Sequence, residues 1–259
     1  MSSPANISPS FPHHGPLSCR RCFTNIVGDE LDIEAWRVVN DPGAWGSSNP
    51  EVLVLGFSKG FTQANAFKMG KFEDVPFKKA RGRLRSILCR IGLLDQAETD
   101  EEFDKRFEAT ERDFAFGSLV RCSLSRMNSK TGRYECTGQV MTKAFSEPVS
   151  TVVRCCARTY LSTLPAKLQV IILLGTAAGY IKDCKKLIRS IHPRSFVEVN
   201  DVAYWAAGVK WVHVTHPSGM NGYYGKWMSA DKTDASGAKR EDAIYALSLK
   251  SPPKGERLG

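Results

Sequence analysis

"QVIILLG", residues 169–175, decides the fold: five apolar residues follow one another without a polar break and stop at a glycine. A strand with one wet face alternates apolar and polar residues. An unbroken run marks a strand covered on both faces, as in a parallel sheet between helices. "EVLVLG" (51–56) repeats the pattern, "VKWVHV" (209–214) is a third run, and "AFGSLVRC" (115–122) is a weaker fourth. Helical periods lie between them. In "FKKARGRLRSILCRIGL" the positions Leu84, Ile87, Leu88 and Ile91 recur at helical spacing, and Gly92 ends the period. In "EPVSTVVRCCARTYLSTLP" the stripe runs through Val149, Val152, Val153, Cys156, Tyr160 and Leu164 and stops at Pro165. "TAAGYIKDCKKLIRSIH" and "GAKREDAIYALSL" supply two more helices. Strands alternating with helices predict an α/β fold, a three-layer α/β/α sandwich around a central, mainly parallel four-stranded sheet.

The chain has 259 residues, enough for one sizeable core, and a single domain over residues 18–259 is the economical expectation. Residues 1–17, rich in Pro and Ser, read as a disordered or loosely draped leader with His13 and His14 solvated. The leader lacks the apolar core of a signal peptide, and no apolar run approaches a membrane span. A soluble, monomeric, cytoplasmic protein of bacterial or phage-related origin, associated with the nucleoid, is expected. The charged segment near 95–114 reads as a solvent-facing helical insertion, and 126–148 as a polar loop. A net charge of +9 makes a polyanionic partner such as DNA plausible, though mild basicity is common among soluble proteins.

In open α/β sheets ligands bind beyond the carboxyl ends of the strands, so the loops that follow the runs are where chemistry is sought. These are "GFSKGFTQANAF" after the first and "THPSGMNGYY" after the third; neither is a Walker or Rossmann loop. Eight cysteines are many, and they are not spaced as a small disulfide framework. Cys19 and Cys22 form a Cys-x-x-Cys, Cys122 follows a strand-like run, and Cys155 and Cys156 are adjacent. With two further thiols the pair becomes a candidate four-thiolate site for zinc or an iron–sulfur cluster.

"HPSGMN" (216–221) resembles the second motif of the uracil-DNA glycosylase superfamily, and "GFSKG" (56–60) stands in the place of its first. "EDVPFKKARGRLRSILCRIGL" is similar to the Pro-Phe segment and following helix of the iron–sulfur branch. "LVRCS", "CARTYLSTLP" and "VIILLGTAA" match in order, so the resemblance runs from Cys19 to about Gly225. It implies a monofunctional DNA glycosylase acting on single- or double-stranded DNA. Breaking an N-glycosidic bond leaves negative charge on the departing base, and the base must first leave the stack. The resemblance assigns His216 to donate to that base, Ser218 to grip a phosphate, and Met220 to wedge into the vacated stack. Asn221 falls where contacts to the opposite strand or the water belong, and Phe77, with Phe57, beside the extruded base. It also implies a structural 4Fe-4S cluster on Cys19, Cys22, Cys122 and Cys156, with zinc the second choice of occupant. Cys155 and Cys136 are rivals for the fourth place, while Cys89 and Cys184 lie on helical stripes as buried apolar residues.

Two departures matter. The first-motif loop holds Phe57, Ser58 and Lys59 where the family has a carboxylate or Asn to orient water. That task passes to Ser58, or to Gln63 or Asn65 beyond it, and Lys59 is expected to face phosphate. Ser118 stands where the iron–sulfur branch reads the uracil edge with an Asn, so strict discrimination of uracil is in doubt. A modified pyrimidine is therefore expected as substrate beside uracil: an oxidised or deaminated base, or an enlarged cytosine such as phage DNA carries. The rival expectations are a non-catalytic DNA-binding module of the same fold and a zinc-stapled nucleotide-binding protein.

Overall fold

The computed structural model describes residues 11–60, 63–65, 67, 70–229 and 231–253. In chain order the strands are β1 (Gly15–Pro16), β2 (Glu30–Ile33), β3 (Trp36–Val39), β4 (Gly43–Gly46), β5 (Val52–Gly56), β6 (Phe114–Ser118), β7 (Ser123–Asn128), β8 (Arg133–Glu135), β9 (Val170–Leu174), β10 (Val197–Asn200), β11 (Ala203–Ala206) and β12 (Val209–Val214). The helices are α1 (Arg81–Arg90), α2 (Asp100–Lys105), α3 (Gly138–Thr142), α4 (Ser150–Leu161), α5 (Ala178–Ile191), α6 (Tyr224–Met228) and α7 (Ala235–Ser248).

The four apolar runs become β5, β6, β9 and β12, which lie side by side in the order β6-β5-β9-β12 and pair in parallel. They are the middle of a larger sheet than expected. Antiparallel β4 and β1 extend it on one side and β11 and β10 on the other, making eight strands. A second, antiparallel sheet of four strands, β2-β3-β7-β8, has no counterpart in the sequence reading.

Both faces of the central strands are covered, which is why their sequences do not alternate. Leu53, Leu55, Ile171, Leu173 and Trp211 pack with Val152, Val153 and Ala157 of α4 and Cys184, Leu187 and Ile188 of α5. Their neighbours Val54, Ile172, Leu174, Val212 and Val214 pack with Leu84, Ile87 and Leu88 of α1, Phe103 of α2 and Ala243 and Ala246 of α7. Each fully buried Leu or Ile contributes about 1.5–3 kcal/mol. This is the three-layer arrangement.

Three expectations are corrected. Residues 1–10 of the leader lie outside the described residues. The rest of it is anchored: Phe11 packs on the core, β1 pairs with β4, and His14 contacts Glu73 at 3.2 Å and accepts from the Gly46 amide. The 95–114 segment is no mere decoration. Its helix α2 begins with a capping box between Thr99 and Glu102, and Phe103 and Phe107 are fully buried against Phe116. The 126–148 segment carries the end of β7, then β8 and α3.

Candidate active site and thiol cluster

Parallel register brings the carboxyl ends of the central strands to one edge: Gly56 lies opposite Ser118, Leu55 opposite Leu173, and Val214 opposite Leu174. The residues that follow, Phe57 and Ser58, Gly175, and Thr215 with His216, therefore leave the sheet at the same edge as Ser118.

Thr215 is fully buried and closes the strand, and His216 is the first residue of the exposed loop. The Ser218 amide donates to His216 Nδ1 at 3.1 Å. That bond requires a bare Nδ1, so the neutral ring carries its proton on Nε2, which makes no hydrogen bond within the protein among the described residues. Protein crowding around the ring disfavours the charged form and lowers its pKa to about 4. At neutral pH the loop thus presents an uncharged N–H donor.

Beyond it, the Met220 amide donates to Ser218 Oγ at 3.2 Å, and the Met220 side chain is 94% exposed, with Tyr223 also exposed. Asn221, assigned to DNA or water, is instead spent on the loop itself. Its Nδ2 donates to Thr215 Oγ1 at 2.9 Å and to the His216 carbonyl at 2.7 Å, and its Oδ1 accepts from the Tyr223 amide. Sequence reasoning missed Arg83, which donates to the Ser218 carbonyl at 3.2 Å and lies over the Tyr224 ring. It stands on the polar face of α1, and no local pattern marks it.

The first-motif loop corrects several assignments. Lys59 does not face phosphate: it is buried, its ammonium donates to the Arg121 carbonyl, and it stands 3.3 Å from Asp41 Oδ1. Asp41 also accepts from the Ser123 amide at 2.7 Å and its hydroxyl at 2.6 Å. Burial pushes the Lys59 pKa down and Asp41 opposes the shift. Phe57 is buried against Phe145 and Tyr180. Phe77, assigned to stack on a base, has its ring in the core near Phe107 and Phe116, on a backbone with φ of 53°. Ser58 Oγ lies 3.5 Å from Met141 Sδ, Gln63 accepts from the Gly60 amide, and Asn65 is exposed. Ser118 is buried at the end of β6.

Cys19, Cys22, Cys122, Cys155 and Cys156 line one cavity, together with Arg121 and Tyr160. The rival Cys136 does not line it and sits beside Gly60 instead. Cys155 and Cys156 are consecutive on α4, and both reach the cavity. The Arg121 amide donates to Cys156 Sγ at 3.2 Å. Burial, reinforced by neighbouring thiols, pushes Cys22, Cys122 and Cys156 up to about 12, so without a metal they remain thiols. Among the described residues no three side chains converge at the distance of a single metal ion. The donor set itself, soft sulfur beside a buried unpaired guanidinium, suits a thiolate-held centre of net negative charge. Cys89 and Cys184 are buried away from this cavity, as apolar residues.

No protein-family model matches the sequence, and no curated protein matches it. Among solved structures, the crystal structure of wild-type Pedobacter heparinus SMUG2 is similar over 77% of this chain and 75% of that chain, at 14% sequence identity and a TM-score of 0.35. Among the described residues no helix is long and apolar enough to cross a membrane.

Proposed function

We propose that this protein is a DNA glycosylase that draws a base out of DNA and hydrolyses its N-glycosidic bond, leaving an abasic site. The observation that carries the reading is the loop at the carboxyl edge of the sheet, where a neutral imidazole with a free Nε2–H stands four residues before an exposed methionine. A protruding apolar side chain fills the gap that an extruded base leaves, and a fixed N–H donor stabilises the anion that departs. In the reaction a water oxygen bonds to C1′ and the glycosidic electron pair leaves on the base. His216 Nε2–H donates to that base, and the water's proton neutralises it. Ser58 or the exposed Asn65 orients the water, and the Ser218 hydroxyl contacts the flanking phosphate.

Ser118 offers one short hydroxyl at the end of β6, so the substrate is uracil or a modified pyrimidine, including an enlarged cytosine. Cys19, Cys22, Cys122 and Cys156 hold a structural 4Fe-4S cluster, with Cys155 the alternative fourth ligand and zinc the alternative occupant. The cluster ties the N-terminal segment to the helix and loop behind the sheet.

Mass analysis of the base freed from oligonucleotides bearing uracil and each modified pyrimidine tests the substrate. Alkaline cleavage at abasic sites tests the reaction. His216→Ala is expected to slow base release about 10²–10³-fold, as loss of one anion-stabilising donor does elsewhere, with the fold intact. Release by the variant at the parent's rate would sink the assignment. A second reading, a DNA-binding module without turnover, is favoured by the lack of any carboxylate at residues 57–59 and the burial of Lys59. Tight DNA binding with no abasic product from any base would select it.

A further inference from the structure

Arg121 lies between β6 and β7, is 2% exposed, and lines the thiol cavity. Among the described residues none of its three guanidinium nitrogens has a hydrogen-bond partner. Its side chain runs across the backbone of Gly117, where an added Cβ would come within 1.8 Å of Nη1, and its head lies 5.3 Å from the centre of the Tyr160 ring. The main chain on either side is pinned: the Arg121 amide donates to Cys156, and its carbonyl accepts from Lys59. The nearby buried cation Lys59 is already neutralised by Asp41. A guanidinium taken from water with no anion and no acceptor costs several kcal/mol, so a fold that builds one in, and clears a glycine for it, is incomplete as it stands.

We propose that Arg121 is the counter-cation of the thiolate centre, a positioning residue that neutralises the charge of the metal site and holds it in the protein. The proposal rests on the reading that these cysteines bind a metal centre, and it deepens that reading. Four thiolates around a zinc ion or a four-iron core leave roughly two net negative charges in a site shielded from water. The unpaired guanidinium supplies one positive charge and N–H donors to sulfur at that place, and Gly117 leaves it room.

The proposal predicts a reversal of sign that a packing role would not give. In the full chain purified without oxygen, Arg121→Met should release metal to excess EDTA about tenfold faster than the parent, and Arg121→Lys should restore most of the retention. After the metal is stripped, the same Arg121→Met chain should resist denaturant better than the stripped parent, because an uncompensated buried charge is gone. Gly117→Ala, which displaces the guanidinium without altering it, should also speed metal release. Equal release rates in parent and Arg121→Met, or lower stability of the variant in both loaded and stripped forms, would overturn the proposal while leaving the centre in place. Zinc without sulfide in the parent would remove the iron–sulfur reading, and the release rates would still judge Arg121. A parent that retains no metal would overturn both.

Discussion

Arg121 and Arg240 are both fully buried, and their surroundings differ. Arg240, on α7, gives its Nη1 protons to the carbonyls of Trp227 and Ser229 and pairs through Nε and Nη2 with Glu241. The chain has completed that cation from its own atoms, so the group acts as a clasp between α6 and α7. Arg121 is equally enclosed, and among the described residues its head meets the Tyr160 ring but no hydrogen-bond acceptor and no carboxylate. Lys59 is closed by the Asp41 carboxylate and the Arg121 carbonyl. A buried cation that is satisfied belongs to the fold, and one left open points to something the fold receives.

Opening a closed site should have the largest effect. Asp41→Ala leaves Lys59 buried without its anion and is expected to cost about 3–5 kcal/mol, read as a lower denaturation midpoint at neutral pH. Unchanged stability would show that a cation buried in this fold does without its anion, and the contrast between Arg121 and Arg240 would lose its meaning. Arg240→Met comes next. It strands the Trp227 and Ser229 carbonyls and should destabilise by about 1–3 kcal/mol, whether or not metal is present. The contrast with Arg121→Met, whose effect should change sign on metal removal, is the direct test.

His213 extends the comparison to a buried group that avoids the cost by staying neutral. Its Nδ1 lies 3.1 Å from the Gly175 carbonyl, and burial lowers its pKa from 6.5 to about 3. Below pH about 6.5 the unfolded chain takes up a proton that the folded chain refuses. Stability contributed by the neutral ring is complete above that pH and falls by about 1.4 kcal/mol per unit as the pH drops toward 3. His213→Gln should remove that share of the slope, seen by comparing denaturation of the two proteins at pH 7, 6 and 5. An unchanged slope would show that His213 takes up its proton in the fold as readily as out of it. The smallest effect on stability belongs to Met220→Ala. With its side chain in solvent it should leave the denaturation midpoint within about 0.5 kcal/mol of the parent and weaken DNA binding.

How much of this was legible depends on whether the deciding contact is local. β5 and β9 could be read directly because burial on both faces leaves an unbroken apolar run, β12 because its run is broken only by Lys210 and His213, and α1, α4 and α5 because one buried stripe leaves a helical period. The flanking strands β1, β4, β10 and β11 are short, and the second sheet includes β8, a three-residue strand with none buried, inside a polar segment. Phe103 and Phe107 were hidden among charges because the rings that help to bury them, Phe77 and Phe116, lie outside the segment. In the candidate site, the loop from His216 to Met220 was legible as a motif, and Cys-x-x-Cys as a spacing. The burial of Lys59 was not, since its partner Asp41 precedes it by two strands, β4 and β5, nor was the inward use of Asn221.

The amino-acid order by itself determined which segments are covered on both faces, which helices lie between them, and which sulfur and imidazole side chains follow the strands. Those properties come from hydrophobic periodicity and loop chemistry within a few residues. Only the tertiary structure decided that five thiols share a cavity, that Lys59 is closed by Asp41, and that Arg121 is left open. Charge satisfaction in a buried place depends on which distant atoms arrive there, and no window along the chain contains them.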